Sequence, residues 1–345
     1  MRGWLRTSVI SAALVFILAA PSGGSAGPVL LLEPARGEVL FADEADATWF
    51  PASLTKLMTA YVVFDAVKEG RIAWDGLVPL SDKARGQPAT RIGLRLGIDL
   101  TVEQAVRGMV LRSANDFSMA LAELVAGSEE AFAELATETA RRLGMTRTRF
   151  RNPHGLPDAE QVTTARDMGV LAAALIRDFP DRMEVFSTPT VRIHRQTFHS
   201  QNELLRTFSG ADGMKTGFTC GAGYNIVASA TRNGRQLVAV ILGAPTKAMR
   251  SERAAQVLEA GFAHIEGRQA EIDGKPLRTI ALKDLAMASA EPMPPHDMSR
   301  ETRTRKCGNY PGRAPRGTAG KAKRDAKAAA SVAPIEAAKA TAIAR

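Results

Sequence analysis

The sequence predicts an α/β (α+β) fold in which one antiparallel sheet is flanked by helices and carries an inserted helical region. Three observations support this. An alternating apolar hairpin opens the chain, and capped helical stretches fill its middle. After residue 210, two strand-like runs meet at Asn233-Gly234 before a closing helix.

Residues 28–42 read as a hairpin: an apolar strand, the turn Pro34-Ala35-Arg36-Gly37, then Glu38-Val39-Leu40-Phe41 in alternation. Pro51 opens a helix that runs from about Ala52 to Glu69 and ends at Gly70, with proline at the first turn and glycine after the last. Thr101-Val-Glu-Gln104 is a capping box for a helix reaching about Arg112. A short break follows, then a helix from near Asn115 to Val125, and another that Ser128 caps and Gly144 stops. Tyr224–Thr231 and Gln236–Leu242 are strand-like, and Asn233-Gly234 between them is a strong hairpin signal. Met214–Phe218 reads as a neighbouring strand, and Ser251–Phe262 as the last helix.

Composition bounds what such a chain does. With 345 residues, 45% hydrophobic and 23% charged, it holds enough apolar material for a substantial core. Residues 300–345 carry 12 Lys/Arg against 3 acids, while the rest is balanced at 33 against 33, so the formal charge of +9 belongs to the tail. The basic pI therefore describes a tail and no nucleic-acid-binding face. Residues 286–345 are rich in Ala, Pro, Gly and Lys, which predicts a disordered basic tail, either solubilising or drawn to anionic wall or membrane surfaces. At the other end, Arg2 and Arg6 precede the apolar run Thr7–Ala20 and the small residues up to Ala26. This pattern predicts a signal peptide over 1–26 and export to the periplasm; a retained anchor is the alternative, against which the run is shorter than the roughly 18 residues of a span. Export makes a disulfide between Cys220 and Cys307 chemically open, with Cys307 in the tail.

Three short motifs carry the chemistry. Ser53-Leu54-Thr55-Lys56 sets a hydroxyl and an amine at i and i+3 on one helical face. A serine nucleophile needs an adjacent base, and lysine serves as one when burial or a second cation lowers its pKa. The apolar residues that follow, Leu57-Met58 and Tyr61-Val62-Val63-Phe64, predict a buried Lys56. By itself S-x-x-K is weak, since a chain this long holds about one by chance. Ser113-Ala114-Asn115 falls in the break between helices, where it either caps or projects into a cleft. Lys215-Thr216-Gly217 lies on a strand, offering a cation, a hydroxyl and a close backbone approach.

Taken together, in order and in placement, S-x-x-K, Ser/Asn and K-T-G resemble the D-alanyl-D-alanine carboxypeptidases, low-molecular-weight penicillin-binding proteins of the DD-peptidase/β-lactamase fold. The resemblance spans about residues 28–265. It extends to Phe50–Tyr61, Leu111–Asp116, Asn152-Pro153-His154-Gly155-Leu156, Thr163–Met168 and Asp212–Thr219. It implies a catalytic domain over 27–265, a short extension over 266–285, and no cofactor or metal. It also implies that Ser53 attacks the terminal D-Ala-D-Ala bond of a peptidoglycan peptide and forms an acyl-enzyme. Lys56 would take the proton under the influence of Lys215, Ser113 would relay a proton to the leaving D-alanine, and Asn115 would hold Lys56 and the substrate amide. The Ser53 and Phe218 amides would form an oxyanion hole alongside Gly217, with Thr216 and Arg250 on the terminal carboxylate. β-Lactams would acylate Ser53 as inhibitors. Family members often continue into a β-rich domain and an amphipathic anchor; here the folded pattern fades after about Leu285, and no C-terminal membrane anchor is expected.

Other readings are weighed on the same residues. A class A β-lactamase adds a Glu-x-x-x-Asn element, whereas Glu160 is followed four residues on by Thr164 and Glu203 by Thr207. A zinc peptidase needs histidine spacings that His154, His194, His199, His264 and His296 do not show, and His154 between Pro153 and Gly155 is expected to shape a loop. A non-catalytic wall-binding scaffold would not need all of Ser53, Lys56, Ser113, Asn115 and Lys215. A DD-endopeptidase acting on cross-links differs only in cleft shape, which the sequence leaves open.

Overall fold

The computed structural model describes residues 27–94 and 98–284. The expected signal peptide, the basic tail and Cys307, with any bridge from Cys220, lie outside the described residues.

Two strands open the fold, β1 (Val29–Glu33) and β2 (Glu38–Asp43), paired antiparallel. The run Val29-Leu-Leu-Leu32 is apolar at every position because both faces of β1 are covered. Leu31 points to the final helix, where it packs beside Gly261, and Leu30 and Leu32 point the other way, against Gly169.

The expected helix after Pro51 begins with a 3-10 turn, Ala52–Leu54, before α1 (Thr55–Lys68). Ala52 sits in the left-handed region at φ 49°, so the chain turns sharply into the helix. The apolar sequence of α1 is buried on nearly every side, as a central helix requires. A single turn, α2 (Asp82–Arg85), precedes α3 (Val102–Arg112), whose Thr101/Gln104 capping box forms in both directions. Next come α4 (Asn115–Ala126) and α5 (Glu129–Leu143), the latter capped by Ser128 and stopped by Gly144 at φ 88°.

The next helix, α6 (Ala165–Asp178), was not anticipated. Thr164 starts it by accepting the Asp167 amide at 3.0 Å, and it packs on β1 and on the later strand facing β1. A short α7 (Glu184–Ser187), the small hairpin β3 (Thr190–Ile193) and β4 (Gln196–His199), and one turn, α8 (Leu204–Thr207), lead back to the sheet.

There β5 (Ala211–Thr219), β6 (Gly223–Arg232) and β7 (Arg235–Ala244) form a meander. Asn233 and Gly234, at φ 50° and 73°, provide the expected tight turn. The last helix, α9 (Lys247–Ile265), starts four residues before the expected Ser251, because Thr246 accepts the Met249 amide at 3.1 Å and caps it there. Beyond α9, β8 (Glu271–Ile272) pairs with β9 (Lys275–Pro276), and β10 (Ile280–Ala281) joins the main sheet against β2. The residues expected to be a short extension thus fold back onto the body, and Ile272 and Leu277 are buried in the core beneath α9.

Among the described residues the main sheet has the order β10-β2-β1-β7-β6-β5, which leaves β5 at an edge. Helix α9 covers one face against β6 and β7, with Leu204 of α8 in the same core, and α6 packs on the opposite face against β1 and β7. No described helix is long and apolar enough to cross a membrane.

Candidate active site

The nucleophile candidate stands where the 3-10 turn meets α1, beside the edge strand β5. Two buried side chains hold the approach to it. Asn225, an amide in the middle of apolar β6, donates to the carbonyls of Phe50 and Pro51 at 3.0 and 3.2 Å and accepts the Gly243 amide at 2.9 Å. Trp49 donates from Nε1 to the Ala222 carbonyl at 2.8 Å. Residues 49–51 are thereby tied to the sheet, and Ser53 is left partly exposed at its end.

Lys56 is fully buried, one helical turn from Ser53. Its Nζ lies 3.2 Å from Ser53 Oγ, 2.8 Å from Asn115 Oδ1 and 2.5 Å from the His154 carbonyl. A neutral amine has two protons and one lone pair. Asn115 and the His154 carbonyl only accept here, so they take the two protons, and the lone pair is left for the Ser53 hydroxyl. Burial, then the nearby Lys215, hold the Lys56 pKa well below 10.5, against an opposing pull from Asp116, which is the direction a base requires.

The break between α3 and α4 supplies the second motif. Ser113 ends α3 in the left-handed conformation, φ 63°, and Asn115 begins α4. Asn115 is fixed on its other side, donating from Nδ2 to the Pro88 carbonyl at 3.0 Å and from its backbone to Thr90 at 2.7 Å. Lys215 reaches across from β5, donating to Ser113 Oγ at 3.1 Å and to the Thr216 carbonyl at 2.9 Å. Burial and the Arg250 charge bring its pKa down to about 7.

Two glycines let backbone segments close on Ser53. A Cβ on Gly217 would stand 3.1 Å from the Ser53 amide nitrogen, so the Gly217–Phe218 backbone runs alongside that amide. Gly155, at φ 84°, is tighter: a Cβ there would fall 1.8 Å from the Ala52 carbonyl oxygen.

Ser53, Lys56, Ser113, Asn115, Lys215, Thr216 and Gly217 thus converge on one cleft. Arg250, in the first turn of α9, is buried and couples electrostatically to Lys215 without bonding to it. Its Nε has no hydrogen-bond partner among the described residues. The Phe218 ring faces outward, 44% exposed, stacked on Tyr224 at 4.2 Å.

Sequence reasoning missed the His154 carbonyl, Gly155, Asn225 and Trp49. His154 does shape its loop, and its main-chain oxygen also holds Lys56. A polar Asn225 within an apolar strand was a readable signal, whereas a backbone carbonyl leaves none.

Comparison with known proteins adds to this geometry. A family model described as D-alanyl-D-alanine carboxypeptidase matches residues 17–246. D-alanyl-D-alanine carboxypeptidase DacC of Escherichia coli K12 is 39% identical over 244 residues, 69% of this chain and 61% of the relative. DacA of Haemophilus influenzae is 37% identical over 243 residues, 69% of this chain and 62% of the relative. The chain spans about three fifths of the length of these curated relatives. Penicillin binding protein 5 of Haemophilus influenzae superposes with a TM-score of 0.67 at 36% identity, covering 69% of this chain and 71% of that one. Penicillin-Binding Protein D2 of Listeria monocytogenes, solved in an ampicillin-bound form, gives 0.64 at 31% identity, covering 69% of this chain and 97% of that one. The chain belongs to the D-alanyl-D-alanine carboxypeptidase family.

Proposed function

We propose that this protein is a serine-type D-Ala-D-Ala carboxypeptidase that trims the terminal D-alanine from a peptidoglycan pentapeptide through an acyl-enzyme on Ser53. The observation that carries the proposal is the buried Lys56 amine, held by two acceptors with its remaining position 3.2 Å from Ser53 Oγ.

In this reading Lys56 removes the Ser53 proton as Oγ attacks the carbonyl of the penultimate D-alanine. The oxyanion is met by the Ser53 and Phe218 amides. Collapse breaks the peptide bond, and Ser113, bonded to Lys215, passes a proton to the leaving amine. Water, deprotonated by the same lysine, then hydrolyses the ester, restores Ser53 and releases the shortened peptide. Asn115 holds both Lys56 and the substrate amide. Thr216 and Arg250 bind the terminal carboxylate, and the unpartnered Arg250 Nε supports that assignment. A β-lactam presents a strained amide and a carboxylate in the same arrangement, and the Listeria relative solved with ampicillin supports inhibition by this class.

The same proposal covers the rest of the chain: residues 1–26 direct export to the periplasm, 27–265 catalyse, 266–285 extend the domain, and the basic residues of 286–345 contact anionic wall or membrane surfaces.

Incubation with a fluorescent penicillin, read by intact mass, tests the mechanism. The wild type is expected to gain one covalent adduct and a Ser53→Ala variant none, with free D-alanine appearing from a pentapeptide only in the wild type. A folded wild-type protein that gives neither adduct nor D-alanine would overturn the proposal in favour of a wall-binding scaffold.

A further inference from the structure

A cavity of about 300 Å³ opens next to Ala52, the residue before Ser53. Three segments wall it: Phe50–Ala52 just before the nucleophile, the loop from Gly155 to Ala159 with Gln161 beyond it, and Thr219 and Gly221 at and after the end of β5. The direction along β5 says which part of a substrate meets it. Lys215 and Thr216 mark the carboxylate end, and Gly217 passes the Ser53 amide. Thr219 lies two residues further, roughly 6–7 Å along a strand. A peptide with its carboxylate by Thr216 and its scissile carbonyl at Ser53 therefore carries its acyl portion toward this cavity.

The walls are mainly apolar, from Phe50, Pro51, Leu156, Pro157 and Ala159, and one carboxylate, Asp158, stands among them. Asp158 is half-buried, and its Oδ1 is fixed by the Glu160 amide at 2.8 Å. No Lys or Arg pairs with it among the described residues, while neighbouring Glu160 is engaged by Arg149 and Arg151 at 3.6 and 3.4 Å. Apolar walls with one uncompensated carboxylate suit an aliphatic chain ending in an ammonium.

We propose that this cavity is the subsite for the third residue of the stem peptide, and that Asp158 selects a side chain bearing a free terminal amine. The assignment rests on the carboxypeptidase reading above and names its substrate class.

The test compares D-alanine release by the full chain from acetyl-Xaa-D-Ala-D-Ala peptides, where Xaa is lysine, meso-diaminopimelate, Nε-acetyl-lysine or norleucine. The two amine-bearing peptides should be processed with kcat/KM roughly five- to tenfold above the other two, and salt should erode that preference. Their relative rates tell a plain ammonium from one flanked by a carboxylate. Asp158→Asn keeps an oxygen for the Glu160 amide, so the loop retains its turn, and it should bring the lysine to Nε-acetyl-lysine ratio close to one. Equal rates for all peptides in the wild type, or an undiminished ratio in Asp158→Asn, would overturn the subsite alone. Absence of D-alanine from every peptide, together with no penicillin adduct, would remove the carboxypeptidase reading and the subsite with it.

Discussion

Two buried basic centres in this molecule are treated in opposite ways. Arg166, at the start of α6, meets Asp46 through two hydrogen bonds of 2.6 and 2.9 Å and donates to the Leu282 carbonyl at 3.4 Å. That pair joins the segment after β2 to α6 and to the end of the described chain, with charge answered by charge. In the cleft, Lys56 and Lys215 are buried as deeply but touch only neutral oxygens: hydroxyls, an amide and carbonyls. A carboxylate in contact with Lys56 would keep it protonated and useless as a base. Burying it without one, and then setting a second cation nearby, drives its pKa down. A stabilising site satisfies its charge; a reactive one withholds the partner.

The largest expected effect tests the reactive side of that contrast. Lys56→Ala should slow penicillin acylation by about 10³-fold, the usual size of a lost general base, with the adduct rate followed by stopped mixing and mass detection. A rate within tenfold of wild type would mean that another group deprotonates Ser53.

On the stabilising side, Asp46→Ala removes the bidentate acceptor of a buried guanidinium and should lower unfolding free energy by about 3 kcal/mol, measured by urea denaturation. The acylation rate of the folded fraction should stay as it was. A variant as stable as wild type but slow to acylate would erase the distinction between the two centres.

The mildest change concerns pH. Burial, then the Arg250 charge, bring the Lys215 pKa from 10.5 down to about 7, so below about 7 it carries a positive charge beside Ser113 and above it that charge fades. The kcat/KM for a peptide should therefore decline on the alkaline side of about 7. In Lys215→Arg the guanidinium stays charged throughout this range, and the alkaline decline should move up by more than one pH unit. An identical profile in the variant would assign that limb to another group.

How far the sequence leads differs between fold and site. Caps and turns were legible because they are local: Thr101 with Gln104, Ser128, Gly144 and Asn233-Gly234 all act within a few residues. Helix α6 escaped because its start depends on a single Thr164 cap and its apolar face is set by a strand about 135 residues earlier in the chain. The early start of α9 escaped for a similar reason, with Thr246 standing directly after a strand. Within the site, the motif residues Ser53, Lys56, Ser113, Asn115 and Lys215 are brought together by hydrogen bonds among their side chains, which are what the sequence spells out. The groups that position them were less visible.

The sequence alone determined the unbroken apolar run that lets β1 be buried on both faces, the helix that sets Ser53 and Lys56 one turn apart, and the family. Tertiary structure decided what Lys56 touches. Its partners lie 59 and 98 residues away, and one is the carbonyl of His154. Every residue carries a carbonyl, so nothing in the side-chain code marks that one out. Only the folding of Gly155 against Ala52, at a contact that tolerates no Cβ, brings it to the amine.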